Sequence, residues 1–173
     1  MNIILLASAI FLGLLAGLII ANFTKEEISA NRRYFILTKY LLLLVLSLTV
    51  IYFYKDHKFW YIYFLLGIII GYFLRILFLY LGIILGSTIN LDNNKLLIVS
   101  SIIFLFGLIY SCNYVGKSKR FLIILIIINY LLLLISTITT TYIYSIQLIL
   151  IVSGALLGNI IYSSFKIDSK AFR

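Results

Sequence analysis

The sequence predicts an all-α fold, a polytopic bundle of transmembrane helices forming a single integral membrane domain over residues 1–173, and three observations carry that expectation. Hydrophobic residues make up 64% of the chain and charged residues 11%, where a soluble domain runs nearer half apolar and a quarter charged. The apolar residues fall in blocks of 15 to 32 residues, long enough to reach across the roughly 30 Å of hydrocarbon in a bilayer. The blocks are continuous Leu/Ile runs, such as Leu41–Leu46 and Leu122–Ile128, without the strict alternation of a barrel strand. A helix satisfies its own backbone hydrogen bonds in lipid, so helices are the spanning elements.

The first span is expected from Ile3 to Ala21. Met1-Asn2 puts no basic side chain ahead of it, and the small residues Ala7-Ser8-Ala9 lie inside it, so it reads as a retained helix rather than a signal peptide. In the polar segment Asn22–Arg33, Thr24-Lys25-Glu26-Glu27 fits a capping box, predicting a helical start that runs on into the second span, Tyr34–Tyr54. Asn22-Phe23-Thr24 matches the glycosylation pattern, but hard against the membrane on the side assigned to the cytoplasm it is a coincidence of sequence. Tyr52-Phe53-Tyr54 and Phe59-Trp60-Tyr61 bracket the loop Lys55–Lys58 as an interfacial aromatic belt does. Beyond the stretch Phe59–Asn90, spans are expected over Leu96–Tyr114, Phe121–Thr137 and Tyr142–Ser163, with the loop Val115–Arg120, a tight interfacial turn at Ser136–Thr141 and a basic tail from Ser164.

Phe59–Asn90 sets the crossing number. As one helix its 32 residues would measure about 48 Å and need a tilt of about 50°, beyond the usual range. As two spans it breaks near Gly71-Tyr72. With two spans the chain crosses about seven times, and Lys25, Arg32, Arg33, Lys39, Arg75, Lys117, Lys119, Arg120, Lys166, Lys170 and Arg173 share one side. Lys55, Lys58 and Lys95 face the other, a split of 11 to 3. Six crossings, with 59–90 as one long tilted helix, give 8 to 5 and strand Arg75 in the bilayer. The positive-inside rule selects seven, with the N-terminus outside and the C-terminus cytoplasmic. The six-crossing alternative has one attraction: on a continuous helix Gly67, Gly71, Arg75, Gly82 and Gly86 fall within about 100° of one another.

Phe11–Gly17 resembles Tyr80–Gly86 at an offset of 69, and Gly154–Gly158 echoes both. If spans one to three and four to six are units, their odd crossing number makes them inverted, as in many transporters. The glycine pairs Gly13/Gly17, Gly67/Gly71, Gly82/Gly86 and Gly154/Gly158 are the GxxxG spacing that lets two helix backbones approach closely where no hydrophobic effect drives them together. Packing within the bundle is their simplest use.

The net charge of +9 belongs to membrane-flanking loops, where topology and anionic headgroups account for it; no basic stripe interleaved with exposed aromatics points to nucleic acid. The five acids, Glu26, Glu27, Asp56, Asp92 and Asp168, all lie in loops or the tail, which argues against a proton-driven pump. Lys39 and Arg75 are the charges inside apolar blocks, each costing roughly 2.5–3.5 kcal/mol at the bilayer centre. Both are expected to snorkel to the basic edge, and both are the candidates for an anionic ligand or lipid headgroup.

Asn129 and Asn159 are expected to bond across helices. His57 is the single histidine, beside Asp56 in a solvated turn, and Cys112 is the single cysteine, so no disulfide, metal site, cofactor or catalytic constellation is expected. The function expected is a non-catalytic structural or assembly subunit of a membrane complex or homo-oligomer, with the lipid bilayer and other membrane subunits or a second copy as partners. A small transporter or channel built on the inverted repeat is the alternative.

Overall fold

The computed structural model describes residues 3–89, 92–114, 117–143 and 145–171. Met1-Asn2, Asn90-Leu91, Val115-Gly116, Tyr144 and Phe172-Arg173 lie outside them, so the expectations that rest on those residues stand only for their neighbours. The elements are α1 (Ile3–Phe23), α2 (Lys25–Ala30), α3 (Arg32–Tyr54), α4 (Trp60–Phe73), α5 (Leu77–Ile89), α6 (Asn93–Tyr110) with a 3-10 turn over Ser111–Tyr114, α7 (Lys119–Tyr142) and α8 (Ile146–Ala171). Helix is the repeating secondary structure throughout the described residues. Five helices are long and apolar enough to cross a membrane: Ile3–Phe23, Arg32–Tyr54, Asn93–Tyr110, the Arg120–Tyr142 part of α7 and the Ile146–Ser163 part of α8. The chain is thus a multi-pass helical membrane protein by length and composition, while α4 and α5 have 14 and 13 residues.

Phe59–Asn90 is not one helix. It breaks at residues 74–76, just past the Gly71-Tyr72 expected. Leu74 leaves α4 with extended backbone, φ −99° and ψ 117°, and its N–H donates to Ile70 O at 2.8 Å to close that helix. No proline or left-handed residue forces the break. Arg75 sits in it, where a charge no longer occupies the middle of a 48 Å apolar rod (about that length, at 1.5 Å per residue). The single stripe of Gly67, Gly71, Arg75, Gly82 and Gly86 therefore does not form: the first glycine pair faces α8 and the second faces α7.

Glycine contacts fix the helix directions. Gly13 lies against Phe104 and Gly17 against Leu108 and Ser111, so α1 and α6 run parallel; Gly107 returns the contact onto Gly13 and Leu14. Gly82 lies against Leu133 and Ser136 and Gly86 against Thr137 and Thr140, so α5 and α7 run parallel. Gly154 lies against Phe64 and Gly67, and Gly158 against Ile68 and Gly71, so α4 and α8 run parallel. α3 opposes α6: Lys39 near its start approaches Tyr110 and Phe53 near its end approaches Lys95. Phe78, at the start of α5, meets Tyr110 at the end of α6, ring centroids 5.3 Å apart.

α5 occupies the axis, packed against α7, α8, α6 and α1. Leu81, Ile84 and Leu85 on α5 are fully buried and join Leu14, Leu46, Val50, Ile103, Phe106 and Leu156 in one core. α4 stands outside that core, and among the described residues its extensive packing is with α8 alone.

Two local expectations are overturned. Thr24 precedes α2 but makes no side-chain cap; its hydroxyl donates to Ile20 O at 3.0 Å, completing α1 instead of a capping box. The helical start at α2 then bends at Asn31 before α3. Ser136–Thr141 is not a turn but the last helical stretch of α7. The hydroxyls of Ser136, Thr137, Thr140 and Thr141 donate to carbonyls four residues earlier, at 2.6, 2.6, 2.6 and 2.7 Å. Satisfied in this way, they cost the helix little in an apolar setting, and their small side chains form the surface that receives Gly82 and Gly86.

Candidate functional site

The charged residues inside apolar blocks converge on one end of the bundle, where α1, α4, α6 and α8 finish and α3, α5 and α7 begin. Arg75 is exposed in the 74–76 connection, which passes from α4 on one side of α8 to α5 on another. There the guanidinium carbon lies 3.4 Å from the centroid of the Tyr162 ring of α8. At that distance the guanidinium makes a cation–π contact with the ring. Tyr72 packs edge-on to the same Tyr162 ring at 5.4 Å, and Tyr80 donates its hydroxyl to Leu74 O at 2.9 Å, tying the connection to the first turn of α5. Arg75 is thus at one end of the bundle, against an aromatic ring.

Lys39 is half-buried on α3, its ammonium 4.4 Å from the Tyr40 ring centroid and 6.0 Å from that of Tyr110. Its height follows from the pairing of α3 with α8. Ser47 Oγ donates to Ser153 O at 2.8 Å; nine residues from that contact toward the basic end, Tyr162 on α8 is level with Thr38, next to Lys39. The two cations therefore stand in one layer. Tyr110 also accepts a 2.7 Å bond from the Tyr114 hydroxyl. No carboxylate pairs with Lys39 or Arg75 among the described residues.

Asn129 and Asn159 do not bond across helices. The Asn159 amide donates to Ala155 O of its own helix at 2.9 Å, which shields a polar group inside the α4–α8 contact. The Asn129 amide nitrogen is buried and has no hydrogen-bond partner among the described residues. It lies one turn before Leu133, which meets Gly82, and so is level with the start of α5. At the opposite end His57 is held in a turn, its N–H donating to Tyr54 O at 3.1 Å and its carbonyl accepting from Trp60 at 3.2 Å. Cys112 is half-buried in the 3-10 turn, its thiol 3.9 Å from Leu108 O.

Elsewhere the polar chemistry is used up in packing. A depression of about 230 Å³ between α5, α7 and α8 is lined by Leu79, Ile83, Leu132, Ser136 and Thr140, whose hydroxyls already serve α7 carbonyls. One of about 410 Å³ lies between α1 and α6 beside Leu6, Ile10, Ser101 and Phe104. Neither is lined by a charged group. Three participants were not singled out from the sequence: Tyr162, one tyrosine among 14; Gly107, a lone glycine without a partner four residues away; and the Ser/Thr face of α7, whose spacing resembled a turn. Small residues at Ser136 and Thr140, four apart, were the available signal for the last of these.

No protein-family model, curated protein or solved structure matches the chain.

Proposed function

We propose that this chain is a seven-crossing membrane protein, N-terminus outside and C-terminus cytoplasmic, that serves as a non-catalytic structural or assembly subunit of a membrane complex or homo-oligomer. The observation that carries the structural reading is the filled axis: residues 80–88 of α5 are all buried, where a conduction path would need open space. The crossing number draws support from the helix directions, which alternate from α1 through α3, α4, α5, α6 and α7 to α8. That alternation gathers Lys25, Arg32, Arg33, Lys39, Arg75, Lys117 and Arg120 at one end and Lys55, Lys58 and Lys95 at the other, the bias that orients membrane proteins. The glycine pairs serve in this reading as internal packing faces, each set against a neighbouring helix of the same chain.

The transporter or channel reading retains the two uncompensated cations, but its repeat finds little support in the packing. An inverted repeat that relates α1 to α5, α3 to α6 and α4 to α7 would turn the α1–α6 contact into one between α5 and α3. The latter two do not pack extensively among the described residues.

Single cysteines at Asn93 and Ser118 in a Cys112→Ser background test the topology: labelling by a membrane-impermeant maleimide from opposite sides is expected, and labelling from the same side refutes seven crossings. Flux of small anions and cations through liposomes holding the purified chain tests the role. Liposomes no leakier than protein-free ones are expected; saturable solute uptake refutes the structural reading.

A further inference from the structure

We infer that Arg75, set against Tyr162 in the α4–α5 break, binds a phosphate group, carried by an anionic lipid headgroup or by free phosphate, with Lys39 at the same height adding to the attraction. The inference stands on the bundle geometry and on neither functional reading, since both leave these cations at the same place.

Three features combine. Arg75 and Lys39 come from distant parts of the sequence and stand at the same height in the bundle, Arg75 in the α4–α5 break over Tyr162 and Lys39 beside Tyr110. Neither has a carboxylate partner among the described residues, and Lys39 is half-buried, where a charge is ordinarily paired. Arg75 is exposed and rests against the Tyr162 ring, and a guanidinium reached by solvent and headgroups can grip a phosphate with two parallel hydrogen bonds. This end of the bundle thus offers two cations that no carboxylate pairs with among the described residues; Glu26 and Glu27 of the same end are exposed on α2. A carboxylate could satisfy the charge, but phosphate is the anion of the membrane edge, where this layer sits.

The test uses the full chain, purified in neutral detergent and phosphate-free buffer, with unfolding followed through Trp60. In mixed micelles phosphatidylglycerol is expected to stabilise the chain at least five-fold lower lipid fraction than phosphatidylcholine, and Arg75→Gln with Lys39→Gln should abolish that preference. Arg75→Lys, which keeps charge but loses the fork, should weaken it about three- to five-fold. Lys58→Gln with Lys95→Gln, at the other end of the bundle, should leave it unchanged. Stabilisation by millimolar inorganic phosphate in phosphatidylcholine micelles, lost in the same Arg75/Lys39 variant, would assign the site to free phosphate. A response to neither source by the wild-type chain overturns the inference, whatever the variants do. So does a phosphatidylglycerol preference lost equally at both ends, because that is diffuse attraction to a charged surface.

Discussion

α4 and α5 are cut from the same apolar stretch at nearly equal length, yet in α4 only Gly67 and Gly71 are buried whereas in α5 every residue from Tyr80 to Thr88 is. Leu66 on α4 is 47% exposed, and Leu81 on α5 is 0% exposed. Hydrophobicity does not separate them, because lipid accepts a leucine as readily as a protein interior does. What separates them is the number of faces that fit a neighbour. α4 has one, the Gly67/Gly71 face against Gly154 and Gly158. α5 has the glycine face toward α7 and, around the rest of its circumference, large side chains that fill the space between α1, α6 and α8.

The largest effect should come from closing the axial glycine face. Gly82→Leu with Gly86→Leu forces bulk against the Thr137 and Leu133 carbonyls; at roughly 1–3 kcal/mol per overpacked site, little folded protein should survive detergent extraction. The corresponding change on α4, Gly67→Leu with Gly71→Leu, should release α4 and spare the remaining bundle, seen as new protease cleavage near residue 75 with α5–α8 intact. Equal collapse of both variants would remove the distinction between axis and rim.

Gly154→Leu with Gly158→Leu opens the same contact from the α8 side, so combining it with the α4 pair should cost no more than either alone, a coupling measurable as a double-mutant cycle. Additive losses would mean that the two pairs act at separate surfaces.

Leucine truncation gives a smaller contrast. Leu81→Ala should destabilise by about 2–4 kcal/mol through the cavity it leaves, and Leu66→Ala by less than about 0.5 kcal/mol, both read from reversible unfolding in mixed micelles. The smallest effect is Ser47→Ala, which removes the bond to Ser153 O; about 0.6 kcal/mol is the usual worth of an interhelical hydrogen bond in a membrane. A loss of several kcal/mol there would make the α3–α8 contact, rather than α5, the keystone of the bundle.

The helix class and most span positions were legible in the sequence because the length of an apolar run is dictated by the bilayer. α1 and α3 begin and end within two residues of expectation. The break before α5 was legible through Arg75, since a charge cannot be left mid-bilayer cheaply. The Ser/Thr end of α7 was misread because hydroxyls that form turns in water return to their own helix when no water competes. Neighbours were not legible at all. A GxxxG spacing says that a close approach occurs but not to which helix, so the support of Arg75 by Tyr162 and the shared level of Lys39 emerge only from the three-dimensional pairing. The same holds for Asn129 and Asn159, whose amides look alike in sequence; the Asn159 amide serves its own helix and the Asn129 amide nitrogen has no partner among the described residues.

The brevity of α4 has a consequence for the surrounding lipid. Fourteen residues measure about 21 Å, and this helix stands on the rim with Leu65, Leu66, Ile69 and Phe73 turned outward. On the seven-crossing reading the bilayer meeting it must thin by about 9 Å from its usual 30 Å, dimpled further by headgroups and water drawn toward Arg75. α5 is just as short but touches protein on all sides and deforms nothing. The dimple is therefore one-sided, and its elastic cost falls when two chains turn their α4 rims together and share it. Self-association could then be driven by the membrane's own stiffness, with no complementary surface between the copies, and should weaken in thin, short-chain bilayers.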